Sequence, residues 1–102
     1  VSKLTIIDQG DGLFVIDSNL TFATIDKHSV KSFDFLQTSK KIIIDFERVS
    51  CTDSAGLALM IEWIKYCRHN QIQLYFKNIP DQLRKLAKLS GFDQSSHFVI
   101  AD

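Results

Sequence analysis

Short apolar runs, broken by polar and glycine-containing turns, set out the elements of this chain. Residues 4–7 (Leu-Thr-Ile-Ile) and 13–16 (Leu-Phe-Val-Ile) are two such runs. Asp8-Gln-Gly-Asp-Gly12 separates them, which predicts a two-stranded hairpin with a glycine-containing turn. Residues 24–36 read as a helix, with Thr24 as its cap and Ile25, Ser29, Phe33 and Leu36 on one side. Residues 41–46 are almost continuously apolar and β-branched, as a central strand covered on both faces would be. Residues 54–70 carry the strongest helical pattern. Leu57, Met60, Ile61, Ile64 and Cys67 recur on one face, with Ala58, Glu62, Lys65 and His69 opposite. Residues 71–77 alternate through Ile72, Leu74 and Phe76, which predicts a strand. Pro80 then opens a last helix whose inner face is Leu83, Leu86 and Ala87. Gly91 is placed to end that helix, with Phe92 folding back on it, and residues 97–100 read as an edge strand or a tail. The order is β-β-α-β-α-β-α. It implies an α/β fold with a mixed sheet of four to five strands and parallel crossovers.

Composition narrows the function classes. A chain of 102 residues is expected to form one domain, 1–102, with one core. A hydrophobic fraction of 45% favours a packed globule over disorder. The formal net charge is zero, so no long-range field draws in nucleic acid or an anionic membrane. The apolar runs are much shorter than the ~20 residues that cross a bilayer. No leader-like apolar segment stands at the N-terminus, and direct membrane insertion is not expected. Cys51 and Cys67 are the only cysteines and lack CxxC spacing, which fits a reducing cytoplasm better than a disulfide framework.

The catalytic inventory is thin. His28, His69 and His97 lie on three different elements with no metal-ligand spacing. Neither GxxxxGK[ST] nor GxGxxG is present, so no phosphate-cradling loop is expected. Cys51 follows a strand and precedes a helix, but the next six residues, Thr-Asp-Ser-Ala-Gly-Leu, contain no arginine to close over a phosphate. A buried or half-buried structural cysteine is the expected reading there. No catalytic residue, metal or cofactor is expected, and the chain is read as not an enzyme.

Two features carry what remains. The first is the run Asp53-Ser-Ala-Gly-Leu57 at the mouth of the strongest helix. Asp53 or Ser54 can cap the free N–H groups of the first turn. Ser54 can instead be shown to a partner, and a phosphate there would gain from the helix dipole while Asp53 opposed it. Gly56 costs helix propensity, so close packing or close partner approach is its expected compensation. The second is Leu59, Trp63 and Tyr66, which widen the apolar arc of this helix. They read either as a broad core contact beneath a neighbouring helix or as an exposed strip for docking.

A strand ending Ile42-Ile-Ile-Asp-Phe46, a loop, then Asp53-Ser-Ala-Gly-Leu57 opening a helix resembles the STAS domain, the fold of anti-sigma-factor antagonists. The element order agrees over nearly the whole chain. The resemblance implies three or more helices packed mainly on one face of the sheet. It implies that Ser54 is the residue phosphorylated by an anti-sigma factor kinase. Those regulators usually carry a second Ser or Thr next, where this chain has Ala55.

The longer run Asp53-Ser-Ala-Gly-Leu-Ala-Leu59, with Leu83-Arg-Lys-Leu-Ala-Lys-Leu89, is similar to the MlaB-like STAS subunit of the Mla phospholipid ABC transporter, the toluene-tolerance branch. That branch implies a non-catalytic cytoplasmic subunit, held at the inner membrane through the complex. Such a subunit binds the transporter's ATPase, and the complex maintains outer-membrane lipid asymmetry in Gram-negative bacteria. The expected partner contacts are Asp53, Ser54, Ala55, Gly56, Leu59, Trp63 and Tyr66. The strip would serve a homodimer equally well.

Overall fold

A computed structural model describes residues 3–26 and 33–89. Its elements are β1 (Ile6–Gly10), β2 (Leu13–Ile16), a single 3-10 turn at Asp34–Gln37, β3 (Lys41–Asp45), α1 (Ser54–His69), β4 (Gln73–Lys77) and α2 (Asp81–Leu89). The four strands form one sheet in the order β1-β2-β3-β4. β1 and β2 run antiparallel, while β2, β3 and β4 run parallel.

The hairpin forms where the sequence predicts it. Gly10, Asp11 and Gly12 all have positive φ, which closes the turn between the strands. Gly12 is required on a second count. A Cβ there would stand 2.2 Å from the Lys41 carbonyl oxygen. Its own carbonyl accepts from Ile43 N at 2.8 Å, so the turn is pinned to the neighbouring strand. β1 runs further than its apolar residues suggested, through Asp8 and Gln9 to Gly10. An edge strand tolerates polar residues there because they face solvent. Leu4 lies before it and donates its N–H to Thr24 O at 3.0 Å.

Alternation sorts the sheet into two faces. Phe14, Ile16, Ile42, Ile44, Leu74 and Phe76 are buried and share one core with the inner faces of α1 and α2. On the opposite face Leu13, Ile43 and Tyr75 stand side by side in register and are only partly covered. Parallel β3 was expected to be covered on both faces. Its cover is uneven, with Ile42 and Ile44 buried on the core side and Lys41 exposed and Ile43 only partly covered on the other, until Asp45 is buried at its end.

The described residues of the segment 24–36, at 24–26 and 33–36, are not α-helical as predicted. Thr24 is buried and caps no helix among the described residues. Its hydroxyl donates to Asn19 O at 2.7 Å, and Thr24 N and Ile25 N both turn back to Thr21 O at 3.0 Å. Residues 21–24 thus close a turn, and the predicted positions from 27 to 32, Ser29 among them, lie outside the described residues. Phe33 and Leu36 belong to the 3-10 turn and its entry, and Leu36 is fully buried. Two α-helices are therefore found among the described residues, where three or more were expected. The features predicted at Gly91, Phe92 and 97–100 also lie outside them.

α1 has the predicted bounds to within one residue. Asn70 closes its C-terminus, donating Nδ2–H to Tyr66 O at 2.8 Å, and Gln71 takes a positive φ of 59°. α2 follows Pro80, whose carbonyl accepts from Arg84 N at 3.0 Å, and buries Leu83 and Ala87. The link between β3 and β4 is set by Asp45, buried at the end of β3. Its Oδ1 accepts from Glu47 N and from Asn78 Nδ2, both at 2.9 Å. Among the described residues no helix is long and apolar enough to cross a membrane.

Candidate functional site at the tip of the first helix

Two loops meet where α1 begins, at the C-terminal ends of β2 and β3. One follows β2 (residues 17–24) and the other follows β3 (46–53). They are joined almost as a pair of strands. Leu20 and Thr52 form an isolated parallel bridge, Leu20 N donates to Cys51 O at 2.9 Å, and Asp53 N donates to Leu20 O at 3.1 Å. Asn19 Oδ1 adds a bond from Cys51 N at 3.1 Å. Buried Thr52 reaches the other way, donating its hydroxyl to Gln82 Oε1 at the start of α2 at 3.0 Å.

Asp53 is the N-cap. It sits in extended backbone, and its Oδ1 accepts from Ala55 N at 2.9 Å. Its charge also complements the positive end of the helix dipole. The second oxygen, Oδ2, accepts from Phe22 N at 3.1 Å, across 31 positions of sequence. One carboxylate therefore holds both the first turn of α1 and the neighbouring loop.

Ser54 is exposed at the head of the helix, and its hydroxyl has no hydrogen-bond partner among the described residues. Of the two capping candidates, Asp53 takes the role and leaves Ser54 free. Ala55 and Gly56 are buried beneath it. Gly56 is small for an identifiable reason. A Cβ would lie 2.9 Å from Leu20 O and 3.1 Å from Leu20 Cβ, so the residue allows the helix to sit against the loop after β2. The close approach expected of Gly56 is to its own chain.

Of the two readings of Leu59, Trp63 and Tyr66, the exposed strip is not what the fold presents. Leu59 and Trp63 are 1% and 0% exposed, and Tyr66 is half-buried. The segment at 33–37 packs against two of them, Trp63 and Tyr66. Phe35 meets Trp63 edge-on at 5.7 Å and Phe14 at 5.2 Å, while Phe33 stacks on Tyr66 at 4.5 Å. Gln37 Nε2 donates to the Tyr66 hydroxyl. Of the two readings open from the sequence, this flank is the broad core contact.

Phe22 was missed. It is 73% exposed beside the helix tip, held through its N–H by Asp53. The available signal was a large apolar residue in the polar stretch Asn19-Leu-Thr-Phe-Ala-Thr24. Its placement depends on a bond that no local pattern reports.

Cys51 is exposed in the loop after β3, not buried or half-buried as expected. Cys67 is buried on α1, and desolvation pushes its thiol up to about 11, which keeps it protonated and inert. His69 is exposed, and His28 and His97 lie outside the described residues. No group of three His, Cys, Asp or Glu side chains among the described residues could hold a metal ion.

Helix tip, strand order and topology agree with one family, and the chain matches the STAS domain over residues 3–100. It belongs to the STAS domain family. This STAS domain is similar to anti-sigma-B factor antagonists of Staphylococcus aureus. Those of strain NCTC 8325 and strain COL are each 29% identical over 59 residues. The matched stretch is 58% of this chain and 55% of the relative, so the chain spans about half the length of the curated relatives it matches.

Proposed function

We propose that this STAS domain is a regulatory binding module of the anti-sigma-factor antagonist type, with Ser54 as the contact that phosphorylation controls. The partner is an anti-sigma factor that also acts as the kinase. The domain itself works by binding in the cytoplasm and catalyses nothing. The observation that carries this reading is the exposed, unpartnered Ser54 hydroxyl on a tip that Asp53 already caps. A serine that caps its own helix would have to break that bond to react, and this one has no such bond among the described residues. The likeness to anti-sigma-B factor antagonists supports the same choice of partner class. A phosphate would add about −1.5 to −2 charges at a spot now offering only a hydroxyl. Such a change repels a partner that docks closely on the tip.

Intact mass spectrometry of the protein made in its own host tests this. The expected result is a species heavier by one phosphate, mapping to Ser54 and absent in Ser54→Ala. Failure to find it in any growth state would remove the phosphorylation reading.

A second reading has its own observation. Asp53-Ser-Ala-Gly-Leu-Ala-Leu59 carries Ala55 where switch regulators usually have a second hydroxyl, and Ala55 is buried. On that reading the tip is a constant docking point for the ATPase of an Mla-type phospholipid ABC complex, at the inner membrane. Co-purification with an ABC ATPase, weakened by Ser54→Glu, would support it. Full retention of the ATPase by Ser54→Glu would exclude the tip as the contact.

A further inference from the structure

Asp53 has two tasks, and only one of them can be taken over by a charge on its neighbour. Its Oδ1 caps the helix through Ala55 N, and its Oδ2 holds the Phe22 N–H. We propose that Asp53 is a positioning residue that ties the state of Ser54 to the placement of Phe22. This rests on the reading of Ser54 as a phosphorylation-controlled contact and adds a second, apolar part to it.

The argument runs through the acceptors. In the transfer, Ser54 Oγ attacks the γ-phosphorus of a nucleoside triphosphate held by the kinase. The bond to the β–γ bridging oxygen breaks and the diphosphate leaves. The hydroxyl proton passes to a base on the kinase. The product is a phosphate at the head of α1, one residue from the Asp53 carboxylate. It has several strong acceptor oxygens beside the first turn, where Asp53 Oδ1 now holds Ala55 N, a donor of the kind the helix dipole makes favourable. Like-charge repulsion drives the Asp53 carboxylate away from it. Ala55 N then has a replacement acceptor, while Phe22 N has none.

Phe22 is well placed to transmit this. Its side chain is 73% exposed, so the core does not hold the ring. Its neighbours are fixed independently of Asp53's side chain, by Leu20 N to Cys51 O on one side and by the Thr21–Thr24 turn on the other. Loss of the Asp53 bond therefore releases the Phe22 amide alone, within a turn that stays closed, and loosens the placement of the apolar ring it carries. A partner that touches Ser54 meets this ring as well. Phosphorylation would withdraw a fixed apolar contact in the same event that adds charge.

The test needs no partner. Protein is made with phosphoserine installed at position 54 during synthesis, and amide hydrogen exchange is read by NMR against the unmodified protein. The Phe22 amide is expected to exchange roughly fivefold faster, as loss of one ordinary hydrogen bond implies. The Ala55 and Leu20 amides are expected to keep their protection. Unmodified Asp53→Ala should speed Phe22 and Ala55 together. The near-isosteric Asp53→Asn keeps the tip's shape, and phosphoserine should add nothing to its Phe22 rate. Unchanged Phe22 exchange in the phosphorylated protein overturns the proposal, as does equal loosening of Phe22 and Ala55. Because the phosphate is installed in synthesis, this outcome is independent of any kinase. Absence of phosphoserine in protein from the native host would instead remove the functional reading and leave the intramolecular result standing.

Discussion

Two regions of the same helix offer a partner something in the sequence, and only one of them offers it in the folded protein. The tip, at Ser54, presents an exposed hydroxyl beside an exposed phenylalanine. On the flank Leu59 and Trp63 are buried and Tyr66 is half-buried, with Phe35 against Trp63 and Phe33 and Gln37 against Tyr66. Both were among the expected partner contacts. The difference lies in what the rest of the chain lays over each. Large apolar side chains on the flank attract cover, since burying one stabilises by about 1.5–3 kcal/mol. The tip is bounded by small residues whose role is to let a loop approach, so the serine is left at the rim.

Substitutions along this helix should separate the two regions, the largest effect coming from the flank. Trp63→Ala should cost about 3–5 kcal/mol, a large share of the stability of a domain this size, read as a lower urea midpoint. Near-normal stability would mean that the flank is not core. At the base of the tip, Gly56→Ala should cost about 1–3 kcal/mol from the clash with Leu20. That outweighs the ~1 kcal/mol gained in helix propensity. A stabilised variant would show that the loop after β2 gives way freely. Asp53→Ala should cost about 1 kcal/mol through the lost cap. Ser54→Ala should stay within about 0.5 kcal/mol of the parent, while abolishing any phosphorylated species. A serine whose removal unfolds the domain would belong with the flank.

The two cysteines sharpen the same contrast without mutation. Cys51 should react at once with a thiol reagent, and Cys67 only as the protein unfolds. Burial holds the Cys67 proton in the folded state, up to about 11 from an ordinary value near 9. The folded protein thus binds more protons than the unfolded chain in that window. Its stability should fall as pH rises from about 9 towards about 11, measured by urea midpoints across the range. A midpoint that holds level there would mean Cys67 is not sealed.

The hairpin, β3, α1, β4 and α2 were legible because their side chains repeat at the strand or helix period, and Gly12 and Pro80 mark real boundaries. The tip was legible too, as far as a cap and a free serine in adjacent positions. The segment after β2 was not. Thr24 looks like a cap, but it spends its hydroxyl on Asn19 and its backbone on Thr21, a competition that residue type does not reveal. Neither was Phe22, whose backbone is held from 31 residues away. Periodicity says which face of a helix is apolar and is silent on what covers it, which is why the flank of α1 was open to two readings.

Trp63 is the chain's single tryptophan, fully buried, and its indole N–H has no hydrogen-bond partner among the described residues. Its fluorescence therefore comes from one buried environment, beside the Phe35 ring, and should lie at short wavelength. The colour of that emission will report whether the interior is intact and stay indifferent to the charge carried at Ser54. The protein is thus supplied with an optical control that separates a variant that has stopped binding from one that has stopped folding.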